Sequence, residues 1–465
     1  MSVQLPRELF NAELVKKVKE ELLIKKKDNF AFGSFGTVTD TVVRCFETSS
    51  DGKQIFLPHD YAIKLFPEEC KQDLRRELPK NPQLSATPNL RENQKVIANQ
   101  ALQYLRAKGT VFLNCFPGLG KTRLFVTLSC FLKYKIILLS TQEILHNQAA
   151  NNFEELSNAR CVFLSKLKGE MTQETFDKYD VFITTEKSAY KMGAFANQIG
   201  TMIVDECHEF CSASRITSLL LFRPIFIIMC SATLHFRRDN LENCIYSIIG
   251  QDTSITRRFE RPFNVFKFLT YTTVQEKKNR YGQLDFTGMV QELYANEKRN
   301  QMVLDWIKMN PPENHKIMVL TIYREHATTL HNMICEQLYP QASLLMGGIR
   351  KYVDSKILVG TFSKIGTGFD AASSAEEWDG IHFDLLLLVA TTKQMGWLEQ
   401  LCGRVFRAEM PVIVDFADNQ GVFMAHSKVR DKWYKLFPQA KVLQCQVPLN
   451  VKDTLAKMAV SETSD

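Results

Sequence analysis

Short apolar runs that alternate with helix-length polar segments constrain this chain more than any other feature. From Leu90 to about Gly250 the runs are Val111–Asn114, Lys135–Ser140, Val181–Thr184, Met202–Val204 and Ile225–Met229. A second series begins near Tyr281, with Ile317–Leu320, Ile357–Val359, Leu385–Val389 and Val412–Val414. Strands that are apolar on both faces belong to parallel sheets, because each parallel crossover lays a helix over the sheet. The expected fold class is therefore α/β, with two tandem domains built on parallel sheets. No internal repeat of solenoid spacing is visible.

Residues 1–85 read differently. A lysine-rich amphipathic stretch, Glu13–Lys27, precedes β-like runs at Gly36–Glu47 and Gln54–Phe66. The turn Ser49-Ser50-Asp51-Gly52 between those runs is a hairpin signature. Pro79, Pro82 and Pro88 then make Leu78–Asn89 read as a linker. The expected division is 1–85 as a small β-rich N-terminal module, 86–255 and 256–445 as the two α/β domains, and 446–465 as a polar, frayed tail.

Composition narrows the function class. At 465 residues, 45% hydrophobic and 23% charged, disorder as the main state is excluded. Lys plus Arg number 58 against 51 Asp plus Glu, a net charge of +7 that permits a polyanionic partner without demanding one. The 12 cysteines are scattered from Cys45 to Cys445, which favours a reducing compartment over a disulfide scaffold. The start lacks a basic-then-apolar leader, and the longest apolar stretch, Ser218–Cys230, is broken by Arg223 and Pro224, short of the roughly 20 residues that cross a bilayer. A soluble intracellular protein without a membrane partner is expected.

Chemistry enters at Cys115-Phe116-Pro117-Gly118-Leu119-Gly120-Lys121-Thr122, a turn between an apolar run and a helical pattern. Glycines let backbone amides wrap phosphate oxygens, Lys121 reaches terminal phosphates, and Thr122 offers a hydroxyl to Mg2+. Cys115 stands where the general pattern has its first glycine, so a chance Gly-Lys-Thr at a helix start stays open on this segment alone. The run Thr201–Val204 then ends in Asp205-Glu206-Cys207-His208, where one carboxylate can hold Mg2+ and the next polarise water. Taken alone it is an ordinary strand-to-loop junction. Its position 84 residues after Lys121, with strands between, lets both sites meet at the carboxyl edge of one sheet. Cys207, His208 and Cys211 also suggest zinc, but no second ligand pair lies nearby.

Adding Ser231-Ala232-Thr233 and Gln400-Leu-Cys-Gly403-Arg404-Val-Phe-Arg407, the latter expected on a helix, completes a set that resembles superfamily-two helicases of the DExH type. The texture from Leu90 to Tyr434 is most similar to the poxvirus transcript-release DNA helicases and their relatives in large cytoplasmic DNA viruses. The resemblance implies two RecA-like domains, ATP and Mg2+ as substrate and cofactor, and a single strand lying across both domains. It places Gln94, in Leu90-Arg91-Glu-Asn-Gln94, on the adenine. Gly368 and Asp370, in Thr361–Asp370, fall at the nucleotide, and Gln400, Arg404 and Arg407 at the γ-phosphate with Lys121, Asp205 and Glu206. Ser231 and Thr233 couple domain closure to the strand, which Ser140, Thr141, Thr184, Thr185 and Thr361 contact. For those threonines helix capping or a strand end remains the alternative, and for Arg404 and Arg407 a solvated helix face.

By the same resemblance the partners are nucleic acid, DNA ahead of RNA, and transcription machinery. The protein would act as a monomer in the virion or host cytoplasm. A duplex remodeller that separates no strands, or an RNA helicase, are the alternatives. Gly33-Ser-Phe-Gly36-Thr-Val38 with Tyr61-Ala-Ile-Lys64 imitates a kinase Gly-rich loop and strand lysine. Neither a His-Arg-Asp nor an Asp-Phe-Gly segment follows, so the base and metal ligands of kinase chemistry are missing.

Overall fold

The computed structural model describes residues 2–27, 42–74, 77–87, 89–313, 315–366, 368–418 and 420–462. The chain divides into two compact units, Met1–Arg258 and Phe259–Asp465.

The first unit carries a sheet of seven strands in the order Ser254–Arg257, Thr110–Cys115, Phe226–Ser231, Thr201–Val204, Ile136–Leu139, Val181–Thr184 and Cys161–Phe163. Every pairing in it is parallel. The five strands expected from apolar runs are the five inner ones. The two edge strands give a weaker signal for different reasons: Cys161–Phe163 is apolar but only three residues long, and Ser254–Arg257 carries polar side chains that break the apolar run. Side chains alternate between faces: Val111, Leu113, Ile136, Leu138, Ile203 and Ile228 enter one core, while Phe112, Ile137, Leu139, Met202, Ile227 and Met229 enter the other.

That second core also contains Val3, Leu5, Phe10, Leu22, Val43, Leu57 and Phe66, so residues from the N-terminal segment pack into the sheet unit itself. Ser2–Pro6 pairs antiparallel with Gln54–Pro58, which in turn pairs with Glu47–Thr48 across the Ser49–Gly52 turn. The expected β-run to Phe66 stops at Pro58. His59–Leu65 is a helix, with Pro58 setting its start, Asp60 bonded to Lys64 at 2.7 Å one turn on, and Ala62 and Phe66 buried four residues apart. Lys64 is thus no strand lysine, while Gly33–Val38 lies outside the described residues. The expected linker is also corrected. Leu84 is buried, and Asn81 and Thr87 donate backbone N–H bonds to Lys133 O and Leu156 O, so prolines here stiffen a strap laid on the sheet unit.

The second unit repeats the plan in the order Ser343–Leu345, Ile357–Thr361, Ile317–Thr321, Leu385–Leu388, Val412–Ala417, Phe263–Leu269 and Ala440–Cys445, again all parallel. Its first strand, Phe263–Leu269, precedes the expected start near Tyr281, and Lys267 within it is neutralised by Asp431 at 2.6 Å. The residues expected as a frayed tail form a helix, Val451–Glu462. Val451 is buried in the core, and the Asn310 side chain donates to Leu449 O and accepts from the Val451 N–H. No helix among the described residues is long and apolar enough to cross a membrane.

Candidate active site

Thr110–Cys115 is buried at every residue and ends at the turn that leads into the helix Lys121–Leu132. Gly118 and Gly120 hold φ of +92° and +94°, where a side chain is disfavoured, and a Cβ on Gly120 would run into the Gln94 amide. Cys115 has no positive φ. It closes the strand with ordinary backbone, which explains why a glycine is dispensable there. The loop is tied down internally. Lys121 Nζ donates to Cys115 O at 3.0 Å. Gln94, 1% exposed, donates from Nε2 to Leu119 O at 2.8 Å and accepts the Arg91 N–H on Oε1 at 2.9 Å. Its amide therefore caps the helix Glu92–Lys108 and holds the phosphate-loop turn together.

Thr201–Val204 lies two strands from the loop strand, with Phe226–Ser231 between, and parallel pairing brings all three carboxyl ends to one edge. Burial first, then the Glu206 charge, pushes the Asp205 carboxyl up to about 7, while the nearby Lys121 ammonium opposes the rise. Glu206 sits at φ +48°, a conformation a non-glycine residue adopts only when its surroundings enforce it. Its Oε2 lies 3.3 Å from His208 Nδ1, which is 3.0 Å from Ser231 Oγ. Ser231 Oγ also accepts the Thr233 N–H at 3.0 Å, and Arg237 donates to His208 O at 3.0 Å. Asp205-Glu206 and Ser231–Thr233 are thus one connected network, a link that linear spacing does not reveal.

The donor set suits Mg2+. Two adjacent carboxylates, one of them driven toward its neutral form by burial and then by the other's charge, gain from a hard divalent cation, and Asp205 with the Thr122 hydroxyl would hold it. Cys207 and Cys211 are buried, with thiols raised by that burial. No group of three or more His, Cys, Asp or Glu suited to a metal ion occurs among the described residues.

The expected strand contacts divide. Ser140 and Thr184 are 0% and 1% exposed, and Thr184 Oγ1 donates to Thr185 O at 3.0 Å. Both side chains are buried where inner strands end. Thr141 and Thr185 are half-buried. Thr141 Oγ1 donates to Glu209 Oε2 at 3.0 Å, and Arg215 bridges Glu209 at 3.3 Å and Glu186 at 3.6 Å. This acidic–basic cluster was missed from sequence, since neither Glu209 nor Arg215 carries a spacing signal.

In the second unit the helix Met395–Cys402 ends at Gly403, so Arg404 and Arg407 lie on turns and not on the expected helix. They are engaged with the preceding segment. Arg404 donates to Phe369 O at 2.7 Å and to Gly366 O, and Arg407 Nη1 lies 2.5 Å from Asp370 Oδ2. Asp370 Oδ1 also caps Ala371–Ser374 through the Ser373 N–H, and Gly368 holds φ +73°. Gln400 is buried. Thr361 is 1% exposed, and its hydroxyl has no hydrogen-bond partner among the described residues, so it too faces inward.

Two tandem RecA-like units, the first carrying this phosphate loop and acidic strand end, give the chain the fold of an ATP-hydrolysing helicase. Residues 87–236 match the family described as type III restriction enzyme, res subunit. A helicase-named protein of Invertebrate iridescent virus 6 is 27% identical over 369 residues, covering 74% of this chain and 80% of the relative. A protein of Acanthamoeba polyphaga mimivirus named as an ATP-dependent RNA helicase is 20% identical, covering 83% of this chain and 75% of its own length. Among solved structures, Dbp5 of S. cerevisiae bound to RNA and ADP BeF3 aligns with a TM-score of 0.51 at 10% identity, over 79% of this chain and 92% of that one. The restriction-modification enzyme LlaBIII bound to DNA aligns with a TM-score of 0.50 at 13% identity, over 80% of this chain and 32% of that one.

Proposed function

We propose that the chain is an ATP-driven translocase on a nucleic-acid strand, with DNA as its track, that serves transcript release in a large DNA virus. The observation that carries the reading is the convergence of Lys121, Asp205 and Glu206 at one sheet edge, bonded onward through His208 to Ser231 and Thr233. On ATP binding, Lys121 Nζ exchanges Cys115 O for phosphate oxygen, and the amides around Gly118 and Gly120 wrap the same phosphates. Pro117 and Leu119 shape that loop. Glu206 orients the attacking water and accepts its proton at a carboxylate oxygen that His208 steadies. Thr122 and Asp205 would hold Mg2+, which would supply charge neutralisation on the phosphates.

Gln400, Arg404 and Arg407 act on γ-phosphate charge, with Gly368 and Asp370 positioning the two arginines. The network through His208 and Ser231 relays the state of the phosphate to the strand-facing side, where the half-buried Thr141 and Thr185 are the candidates. DNA is favoured by the resemblance to transcript-release DNA helicases, whereas the mimivirus relative carries an RNA helicase name.

The test is ATP turnover measured in parallel with single-stranded DNA, duplex DNA and RNA. Stimulation by single-stranded DNA above RNA is expected. Stimulation by RNA alone would make the protein an RNA helicase, stimulation by duplex alone would favour a remodeller, and no turnover with any of the three overturns the reading.

A further inference from the structure

The segment between the strand Phe263–Leu269 and the helix Phe286–Ala295 is not covered by any of the nucleotide motifs, yet it is built with unusual care. Residues Gln275–Gly282 are all exposed. They nevertheless form an ordered hairpin. Lys278 and Leu284 pair as an antiparallel bridge, the Asp285 N–H donates to Lys277 O at 2.7 Å, and the Asn279 N–H donates to Gln283 O at 2.7 Å. Asn279 Oδ1 accepts the N–H groups of both Tyr281 and Gln283, and Gly282 turns the chain at φ +74°. The base is clamped from both sides: Gln420 accepts the Val274 N–H and donates to Val274 O, Glu292 accepts the Gln275 N–H, and Asp285 caps the following helix. A purely solvent-facing loop needs none of this fixing.

What the hairpin presents is an aromatic ring among cations. Tyr281 is 70% exposed, the Arg280 guanidinium lies 4.7 Å from its ring centroid, and Lys278, two residues earlier in the hairpin, is exposed as well. Lys277 is held by Glu292 at 2.7 Å, which leaves Lys278 and Arg280 as the outward charges of the tip. The hairpin also leaves the carboxyl end of Phe263–Leu269. In an all-parallel sheet that is the same edge from which the segments after Ile317–Thr321 and Ile357–Thr361 emerge, and ligands of open α/β sheets bind outside that edge.

We infer that Lys277–Leu284 is a nucleic-acid pin, in which Tyr281 stacks on a base of a single strand while Arg280 and Lys278 meet the flanking phosphates. Stacking on an exposed ring is sequence-tolerant, because every base has a π-face, and a preformed tip loses little entropy when a base arrives. This rests on the proposed translocase reading, since a protein that meets no strand has no use for the pin.

The experiment uses the full chain with fluorescent oligothymidylate and oligouridylate as probes, titrated at several salt concentrations, with melting curves to establish folding. Tyr281→Ala is expected to weaken binding by roughly 5- to 150-fold, the range of one lost base stack, and Tyr281→Trp to restore it. Arg280→Ala is expected to reduce the salt slope by about 0.7, the release from one single-strand phosphate. If the parent binds neither probe, the translocase reading itself fails. Should the parent bind while Tyr281→Ala and Arg280→Ala bind equally well, the pin is overturned and the translocase reading stands.

Discussion

Replacing Asp205 by Asn should raise stability and remove activity, and the two effects have one cause. In the nucleotide-free protein the Asp205 carboxyl is driven from an ordinary value of 3.8 to about 7 by burial and by Glu206. That rise corresponds to about 4 kcal/mol against the charged form. Water at the half-buried site and the Lys121 ammonium screen part of it, so about 1–3 kcal/mol should be recovered when the charge is deleted. Asn keeps the acceptor that Asp205 Oδ1 presents to the Glu206 N–H at 3.0 Å, so no bond is lost in exchange. For a unit of this size the gain amounts to roughly 3–10 °C in melting temperature.

The sign follows from the direction of the shift. At pH values between the two pKa values the folded state retains a proton that the unfolded chain has released, so rising pH disfavours the folded parent until Asp205 is fully ionised. The advantage of Asp205→Asn should accordingly be absent below pH ~4, grow up to pH ~7 and stay level above it. Melting curves without Mg2+ or nucleotide at a series of pH values measure this. Addition of Mg2+ should stabilise the parent and not the variant, and the variant should not turn over ATP. A variant that melts at or below the parent at pH 8, or an advantage independent of pH, would refute the reasoning.

Glu206→Gln should bind ATP normally and fail to hydrolyse it, read by equilibrium binding of a fluorescent ATP analogue beside a turnover assay; loss of binding would make Glu206 structural. Arg407→Ala should lower kcat by about 10³-fold, with little change in melting temperature, because its pair with Asp370 is partly exposed and such pairs contribute about 0–1 kcal/mol. Normal turnover with lost strand binding would instead place Arg407 on the strand track. Arg299→Met should be severely destabilising, since it leaves Asp418 buried without the guanidinium that bonds it at 2.7 and 2.9 Å. A loss of about 3–5 kcal/mol, on the order of 10 °C in melting temperature, is expected from calorimetry.

Local chemistry was legible wherever one residue type at one spacing has a single physical use. The inner strands announced themselves because burial on both faces demands uninterrupted apolar residues. Gly118, Gly120 and Lys121 did so because only glycine turns the backbone there and only a long cation reaches phosphate. Asp205-Glu206 could not be told from an ordinary strand-to-loop junction by itself, and only its position 84 residues after Lys121, with strands between, pointed to the same sheet edge.

Tertiary structure decided whatever depends on which distant side chain arrives. Burial of the Ser140, Thr184 and Thr361 side chains was not legible, since a hydroxyl at a strand end looks alike in sequence whether it faces solvent or core. The Asn310 bonds turned an apparently frayed tail into a docked helix, and the Leu84 contact turned a proline-rich linker into a strap. The same is true of Gln94 bracing the phosphate loop, of His208 joining Glu206 to Ser231, and of Arg407 meeting Asp370. Sequence spacing determines the period and charge of each element, whereas these contacts are set by packing between segments far apart in the chain.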